Sequence, residues 1–550
     1  MRTHVVTNVV PAPRDLHVLR SDATLSDAVE RWVEPHDPEG AASLDDLGAL
    51  AGSEQARAWG DDVERVPPVL RTHSPTGERL DEVAFHPSYH RLLEVAVGAG
   101  LTAEPWTRPE GSGAHARRAA GFLVWSQVDA GHLCPVSMTY AAVPALRTEP
   151  VVAEHWVPGL ASRTYEAALR PAAAKAGLTV GMGMTEKQGG SDVRANQTGA
   201  VASPGGPLTG ETYRLTGHKW FCSAPMSDGF LVLAQTDAGV GCFLVPRVLD
   251  DGSRNDIRVQ RLKDKLGNRS NASSEIELDG TWGVRVGDEG RGIRTIIDMV
   301  ASTRLDCVVG SAATMRAALV RAVHHTRHRS AFGALLVDQP LMRNVLADLA
   351  LESEAATLLA LRLAHAVDQG EGELSRLAVA LGKFWVCKRT APMVAEALEC
   401  LGGNGYVEEN GLARLYREAP LNSIWEGSGN VNALDVVRAL TREPPSLAAL
   451  GKELALARGH STVLDAAIDE SDSVAALALG PDGAWEARRL VERLAVTLQA
   501  SLLVRHAPGP VADAFVASRL GGAHGSTFGT LAPSVGAGAV DLLLERALRA

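Results

Sequence analysis

Residues Glu399–Pro420 read ECLGGNGYVEENGLARLYREAP, which places Gly402, Gly403 and Gly405 directly after an apolar run with helical spacing. Glycine has no side chain, so the backbone at these positions can approach a ligand closely. The segment does not match a Rossmann dinucleotide-binding fingerprint, because no strand precedes it and the G-x-G-x-x-G spacing is missing. It predicts a helix that ends at a surface where backbone lines a binding site.

The sequence around this segment changes from a helical to a strand-like pattern and back. Apolar positions at helical spacing run from about residue 21 to residue 175, with Pro-containing joints such as VPPVLRTHSP. Short β-rich runs between Gly, Asp and Asn turns follow to about residue 285, and helical periodicity then returns. The predicted fold is mainly α with a central small β domain, and TREPPS (441–446) is predicted to be a linker. The predicted domains are residues 1–177 (N-terminal helical), 178–285 (β), 286–440 (helical) and 447–550 (an extra C-terminal helical domain).

The composition is that of a globular chain of 550 residues, 45% hydrophobic and 22% charged, with a net charge of −11. This acidic balance argues against a general nucleic-acid binder. Six scattered cysteines without a CxxC pair are typical of a reducing compartment. The N-terminus lacks the apolar core of a signal peptide, and no run of about 18 apolar residues could cross a membrane. We therefore expect a cytoplasmic protein without a membrane partner.

Two neighbouring stretches have the residues of a ligand site. GMTEKQGGSDVRA (183–195) combines a Gly-Gly pair with the hydroxyls of Thr185 and Ser191, so its backbone could hold a heterocycle or a phosphate. An ordinary surface turn has the same composition and is an equally good interpretation. GHKWFCSA (217–224) places Phe221 near Ser223, which suits a flat ring, although an aromatic residue in a strand is more often part of the core.

A basic stretch, RHRSAFGALLVDQP (327–340), contains Arg329, whose forked guanidinium is a good diphosphate partner. His324 and His328 are four residues apart on a predicted helix, as a pair of metal ligands would be. No further ligand accompanies them, so a solvated basic face is the better interpretation and no metal site is expected.

These stretches together resemble the flavin-dependent acyl-CoA dehydrogenases over nearly the whole chain. GMTEKQGGSDV is similar to the first signature of that family and ECLGGNGY…R…E to the second. The runs GHKWF, RLKDKLGNRSNAS and LYREAPLNSIWEGSGN resemble the AidB branch, the alkylation-response members. RLKDKLGNRSNAS reads as a charged hairpin or loop, and we assign no role to it from sequence. The resemblance implies the family architecture of helical domain, β-barrel and helical bundle, with FAD as cofactor.

The stretch NSIWEGSGN (422–430) sets Glu426 between the apolar pair Ile424-Trp425 and Gly427. Removing an α-proton from a thioester needs a base with a raised pKa, and an apolar site raises the pKa of a carboxylate. The resemblance implies that Glu426 is this catalytic base. Some members carry the base on the helix after the β domain, where this chain has Thr303. The alternative interpretation is a glutamate that caps a buried turn.

The same resemblance implies the remaining site residues. The flavin is expected between the β domain and the second helical domain, and Ser191 and Arg304 are expected to contact the acyl-CoA substrate. Arg329, Phe332 and Gln339 are expected to reach the flavin of a neighbouring subunit in a homo-oligomer, commonly a tetramer, which passes electrons to a separate acceptor. The expected cofactor-binding residues are Met184, Thr185, Ser191, Phe221, Cys222, Ser223, Arg329, Phe332, Gln339, Gly402, Gly403, Ser428 and Asn430.

A rival hypothesis is a DNA-associated alkylation-response protein with weak or residual dehydrogenase activity. The AidB branch is associated with duplex DNA through its C-terminal region. Residues 441–550 carry ten Lys/Arg and twelve Asp/Glu, a balance of −2 that does not favour a DNA-binding domain. Arg489 and Arg493 share one helix face and are the candidate DNA contacts. We expect duplex binding that is weak at physiological salt.

Overall fold

The computed structural model describes residues 3–13, 16–203, 211–477 and 480–549. The chain divides into two compact units. The first unit comprises residues 1–54, 110–127 and 307–550, and the second comprises residues 55–109 and 128–306. Within the described residues, no helix is both long enough and apolar enough to span a membrane.

In the described residues the α-helices are, in chain order, α1 Ala23–Trp32, α2 Pro38–Ala51, α3 Glu54–Arg65, α4 Pro87–Gly98, α5 Ala114–Ser126, α6 Leu133–Leu146, α7 Pro150–Leu160, α8 Gly292–His328, α9 Pro340–Asp368, α10 Gly372–Glu399, α11 Leu412–Glu418, α12 Gly429–Arg442, α13 Pro444–Ala455, α14 Thr462–Leu477, α15 Gly483–His506, α16 Gly509–Phe515 and α17 Ala537–Ala547. The strands are β1 Val69–His73, β2 Arg79–Ala84, β3 Val180–Gly183, β4 Gly199–Ala202, β5 Thr212–Ser223, β6 Gly229–Thr236, β7 Gly239–Pro246, β8 Ile257–Leu262, β9 Ser273–Val286, β10 Ser330–Ala331 and β11 Ala334–Leu335.

The second unit is built on a closed β-barrel. Strands β6, β4, β5, β9 and β7 form the ring, which closes through the pairing of β6 with β7, while β3 pairs with β6 and β8 pairs with β9. Alternate side chains such as Phe230, Val232 and Phe243 fill the barrel, as the period-two pattern of the strands requires. The opposite faces pack against α6 and α7 through residues such as Trp156. The predicted small β domain is therefore confirmed as a barrel.

A short hairpin in the N-terminal region differs from the helical prediction. The Pro-containing joint contributes β1, which pairs antiparallel with β2 from Val69↔Ala84 to His73↔Arg79. Only every second residue of β2 is buried, which is the pattern of a strand with one solvated face. The run is too short for its alternation to be visible next to the helical segments, which is why sequence analysis treated it as a joint.

In the first unit, α9 and α10 are buried over most of their length. The buried carboxylates of α9 are matched by arginines from distant parts of the chain, because an unpaired buried charge is strongly destabilising. Arg519 pairs with Asp348 and with Glu352, and Arg546 pairs with Glu354 at 3.1 Å. The C-terminal helical region is therefore held to α9 by buried ion pairs.

The predicted linker at residues 441–446 is wrong. Helix α12 runs to Arg442 and α13 begins at Pro444, so only Glu443 separates the two helices. Proline at the first positions of a helix is favourable because those N–H groups have no intrahelical acceptor. Two adjacent prolines indicate a break between helices here, but they do not indicate a flexible spacer.

Candidate functional site

The loop after β3, residues 183–195, is held by a buried ion pair that was not predicted from the sequence. Lys219 Nζ donates to Glu186 Oε1 at 2.7 Å, and both side chains are fully buried. The Glu186 carboxylate also accepts from the N–H groups of Gln197 and Thr198 at 2.6 and 3.1 Å. Burial opposes ionisation, but these hydrogen bonds outweigh it and hold the pKa of Glu186 at about 2. The loop is therefore fixed at one backbone position.

This anchoring brings the loop next to β5. The Trp220 N–H donates to the Thr185 carbonyl at 2.9 Å, so Met184, Thr185 and the Phe221 segment belong to one surface. Met184 and Thr185 are half-buried, and Ser191 is exposed further along the loop. The structure thus brings Met184 and Thr185 next to the Phe221–Ser223 segment, and Ser191 lies further along the same loop.

Along the end of β5, side chains alternate between solvent and the barrel core. Phe221 is 53% exposed, whereas Cys222 is 0% exposed and packs among the core residues. Burial raises the pKa of the Cys222 thiol to about 12, so it has no nucleophilic character. Cys222 can reach a ligand only through its backbone. The Ser223 hydroxyl lies 3.2 Å from that of Ser273.

In the first unit, Glu426 has an unusual backbone conformation. Its φ is +56° and that of Gly427 is +97°, so two successive residues lie in the positive-φ region. This region is unfavourable for a residue with a side chain and occurs where the surrounding structure enforces it, often at functional sites. The Glu426 side chain is half-buried. The loop therefore presents the carboxylate from strained backbone.

Two buried polar side chains hold this loop in place. Lys383, only 1% exposed, donates from Nζ to the carbonyls of Asn422 at 2.6 Å and Gly427 at 3.1 Å. Asn432, also buried, donates to the carbonyls of Gly427 at 2.6 Å and Ser428 at 3.1 Å. Neither residue was predicted from the sequence. The one available signal was a lysine inside the apolar run LAVALGKFWVC.

Four predicted cofactor positions flank the Glu426 loop and the end of α10. Ser428 is the N-cap residue of α12 and makes no side-chain capping hydrogen bond, and Asn430 is exposed in the first turn. Gly402 and Gly403 are exposed, with φ +59° at Gly402. A Cβ added at either glycine would meet no atom within 4 Å.

The Arg327–Pro340 stretch forms the small β10–β11 hairpin at the surface of the first unit. Phe332 at its tip is 100% exposed with a φ of +53°. Arg329 donates to the carbonyl oxygen of Asn8, and Gln339 Nε2 donates to the Ala331 carbonyl at 2.8 Å. The predicted use of these side chains in a neighbouring subunit stays a prediction.

The remaining predicted residues lie elsewhere. Arg304 is half-buried on α8, next to the buried Thr303, whose hydroxyl donates to the Val300 carbonyl at 3.1 Å. Arg489 is 84% exposed and lies 3.3 Å from Glu486, and Arg493 lies 2.6 Å from Glu470. The candidate DNA contacts are therefore each paired with a glutamate.

The structure provides the features that a flavin dinucleotide requires. Phe221 offers an exposed aromatic face to a flat ring. Gly402 and Gly403 leave open space beside their backbone. Ser428 begins a helix of 14 residues, and such an N-terminus stabilises a diphosphate. The residues present therefore fit the FAD that the sequence resemblance implies.

Comparison with known protein families gives three consecutive matches. Residues 8–167 match the model described as the adaptive response protein AidB N-terminal domain. Residues 181–281 match the acyl-CoA dehydrogenase middle domain, and residues 290–441 match the acyl-CoA dehydrogenase C-terminal domain.

Individual proteins agree with these matches. The chain is 45% identical over 472 residues to AidB of Escherichia coli (strain K12), covering 85% of this chain and 86% of that protein. The structure of Caenorhabditis elegans ACDH-11 in complex with C11-CoA superposes with a TM-score of 0.84 at 26% identity, covering 99% of this chain and 93% of that one. A Bacillus anthracis acyl-CoA dehydrogenase complexed with FAD shares the fold, with a TM-score of 0.68 at 16% identity over 94% of this chain and 88% of that one.

Proposed function

The chain belongs to the acyl-CoA dehydrogenase family, in its AidB branch, and on that premise we propose that it is an FAD-dependent dehydrogenase of acyl-CoA thioesters. The family assignment confirms the resemblance drawn from the sequence motifs and the predicted fold class. It also confirms FAD, the cofactor of this family, as the expected cofactor.

The observation that carries the proposal is the geometry of Glu426. Glu426 is half-buried on left-handed backbone, and Lys383 and Asn432 hold that backbone through the Gly427 carbonyl, so the carboxylate is preorganised to take a proton from a fixed position. In the proposed reaction Glu426 removes the α-proton of the acyl thioester. We propose that the half-buried Trp425, the preceding residue, limits water at the carboxylate when substrate is bound, because a water-poor site favours proton abstraction.

The thioester oxygen becomes negatively charged as the α-proton leaves. We place this oxygen against the backbone N–H of Glu426, because fixed donors stabilise charge that develops in the transition state. Ser191 and Arg304 are the proposed contacts to the rest of the substrate.

The residues that we propose to hold FAD are those with an exposed face or an open backbone in the described structure. Phe221 and Ser223 would contact the flavin ring, and the 183–195 loop would contact the ring and the chain attached to it. The Ser428–Asn430 helix start and Gly402-Gly403 would contact the ADP half of the cofactor. FAD, when bound, accepts the hydride that leaves the β-carbon of the substrate. A separate electron acceptor then reoxidises the protein.

The rival DNA-associated role has less support than the dehydrogenase role, because several arginines of the described C-terminal region are engaged inside the first unit. Arg505, Arg519 and Arg546 are engaged with carboxylates inside the first unit, so three of the ten basic residues counted from Thr441 onward do not form an open basic surface. Weak duplex binding through Arg489 and Arg493 remains a secondary proposal.

The proposed activity is tested by anaerobic titration of the purified holoprotein with a panel of acyl-CoAs of increasing chain length. We expect at least one to bleach the flavin absorbance stoichiometrically. A flavin that stays oxidised with every acyl-CoA, in protein that is fully loaded with FAD, would contradict the proposal.

A further inference from the structure

A cavity of about 360 Å³ lies within the second unit, between the end of α3 and the loop that joins β8 to β9. This loop is the RLKDKLGNRSNAS stretch, to which neither the fold nor the proposed reaction gives a role. The volume falls in the range of small-molecule sites, roughly 300–1,000 Å³.

The lining of the cavity is basic. Four basic side chains face two acidic ones, a surplus of two positive charges. The basic residues are Arg65, Lys263, Lys265 and Arg269, and the acidic ones are Glu64 and Asp264. A concave surface with one predominant sign of charge concentrates ligands of the opposite sign.

Two of the arginines have only loose ion pairs. Arg269 lies 4.0 Å from Glu64, and Arg65 lies 3.9 Å from Asp61. The side chains of Arg65 and Arg269 are 69% and 43% exposed, so these contacts contribute little and can be exchanged for a ligand oxygen.

Asn271 supplies an independent indication of a ligand. It lines the cavity and is 1% exposed, yet neither its amide nitrogen nor its amide oxygen has a hydrogen-bond partner among the described residues. Its backbone, by contrast, is engaged, with N–H donating to the Asn268 carbonyl at 3.2 Å. A buried amide without partners is unfavourable, and native structures usually satisfy such a group with water or a ligand. An unpartnered donor beside an unpartnered acceptor suits an occupant that has both.

The cavity also shares a wall with the end of β5. Lys263 Nζ lies 3.2 Å from the centroid of the Trp220 ring and 4.6 Å from that of Phe221, and it donates to Glu275 at 2.6 Å. Ser273, which lines the cavity, contacts the Ser223 hydroxyl. An occupant would therefore touch the residues that support the Phe221 segment.

We propose that this cavity is a binding site for the phosphate group of a small organic anion. Arg65 and Arg269 neutralise the phosphate, and Asn271 donates to one of its oxygens while accepting from a hydroxyl or N–H of the same ligand. The site is additional to the dehydrogenase chemistry, because none of these three residues takes part in the proposed reaction.

The test uses the full-length holoprotein with inorganic phosphate as the probe, in equilibrium dialysis at low ionic strength. Arg269→Gln removes the exposed cation, and Asn271→Leu removes the unpartnered amide at similar volume. Arg261→Gln is the matched control, because Arg261 lies at the end of β8, just before this loop, and pairs with Glu275 at 2.7 Å but does not line the cavity.

We expect saturable binding of about one phosphate per chain, weakened about tenfold or more by Arg269→Gln and by Asn271→Leu, since charge-assisted bonds are the strong ones. Asn271→Leu should also leave the thermal stability of the phosphate-free protein unchanged or raised, because it removes an unsatisfied group. Absence of saturable binding to the parent would overturn the proposal, as would equal losses with Arg261→Gln.

Competition identifies the source of the phosphate. Displacement of the probe by CoA at lower concentration than by ribose 5-phosphate would assign the site to a phosphate of the substrate. The reverse order would assign it to a separate effector. Either order supports a phosphate site if the two variants also weaken phosphate binding as expected above. The proposal would be overturned if CoA and ribose 5-phosphate displaced the phosphate probe from the Arg269→Gln and Asn271→Leu variants with the same affinity as from the parent.

Discussion

Lys383 Nζ lies 3.1 Å from the carbonyl oxygen of Gly427, the residue that follows Glu426 in the chain. A lysine from the middle of the buried helix α10 thereby fixes the backbone that presents the proposed catalytic carboxylate. The second acceptor, the carbonyl of Asn422, lies on the other side of Glu426. The loop is held at both ends by one side chain, so its geometry depends on a residue that touches neither substrate nor cofactor in the proposed reaction.

Replacing Lys383 by Met should loosen this loop while preserving side-chain volume. We expect kcat to fall on the order of a hundredfold, because small misplacements of a catalytic group have effects of that size. FAD content should be retained, which a general loss of structure would not allow. Steady-state kinetics and the ratio of flavin to protein measure the two effects. Lys452→Met, on the exposed surface of α13, is the control for the same chemical change. A parental kcat in Lys383→Met would show that the two hydrogen bonds from Lys383 are not needed for catalysis.

The Glu186–Lys219 pair should contribute to stability in a pH-dependent manner. Glu186→Gln leaves the Lys219 ammonium buried without a carboxylate and should lower the free energy of unfolding by about 3–5 kcal/mol. Adding Lys219→Met should recover part of this loss, since the two residues act as one unit. Denaturant unfolding measures both values. If the single and double variants are equally unstable, the two side chains are not coupled.

The sign of the pH effect follows from the lowered pKa of Glu186. The pKa of Glu186 in the folded protein, about 2, lies below its ordinary value of 4.5. The contribution of the ionised Glu186 to the free energy of unfolding is therefore fully present above pH 4.5. It is lost as the pH falls from 4.5 towards 2. The parent protein should therefore lose more stability over this window than Glu186→Gln, and identical acid profiles would contradict the assignment.

Arg329→Ala tests the proposed sharing of the flavin site between subunits. Removing a forked diphosphate donor should weaken FAD binding by about tenfold. It should also shift the molar mass measured by light scattering towards smaller species. Arg91→Ala, which removes an exposed arginine paired with Glu94, is the control. A monomeric parent that keeps its FAD fully would refute the shared-site hypothesis.

Duplex DNA should bind weakly, and the binding should depend on Arg489 and Arg493. The double alanine variant should lower affinity further and reduce the salt dependence, because fewer phosphate contacts release fewer counterions. Fluorescence anisotropy of a labelled duplex over a salt series measures both. A tight complex that persists near about 0.2 M salt would favour the DNA-associated role instead.

Some parts of this structure were predictable from local sequence patterns. Short apolar runs between turn residues, such as FLVLAQT, became strands of the barrel, and the long apolar-periodic runs became α8 and α9. The Glu426 segment stood out because an acid between Trp425 and Gly427 has no ordinary surface role. These signals lie within a few residues of the feature that they indicate.

Other parts depend on contacts between distant segments, which leave no local pattern. Lys383 meets Asn422 and Gly427 across about forty residues, and Arg519 meets Asp348 across 171 residues. A buried lysine or arginine looks like a surface residue until its acceptor is known. For the same reason, the charge count of the C-terminal region overstated how many of its arginines could face a partner.

The central claim, that Glu426 is the catalytic base, is tested most directly by the rate of anaerobic flavin reduction in Glu426→Gln. The amide keeps the size of the side chain but cannot accept the α-proton. The substrate is the acyl-CoA that reduces the parent fastest, and Glu409→Gln, an exposed glutamate, is the matched control. We predict fully bound FAD, a control rate equal to that of the parent, and a loss on the order of a thousandfold in Glu426→Gln. Flavin reduction at close to the parental rate in Glu426→Gln would contradict the account.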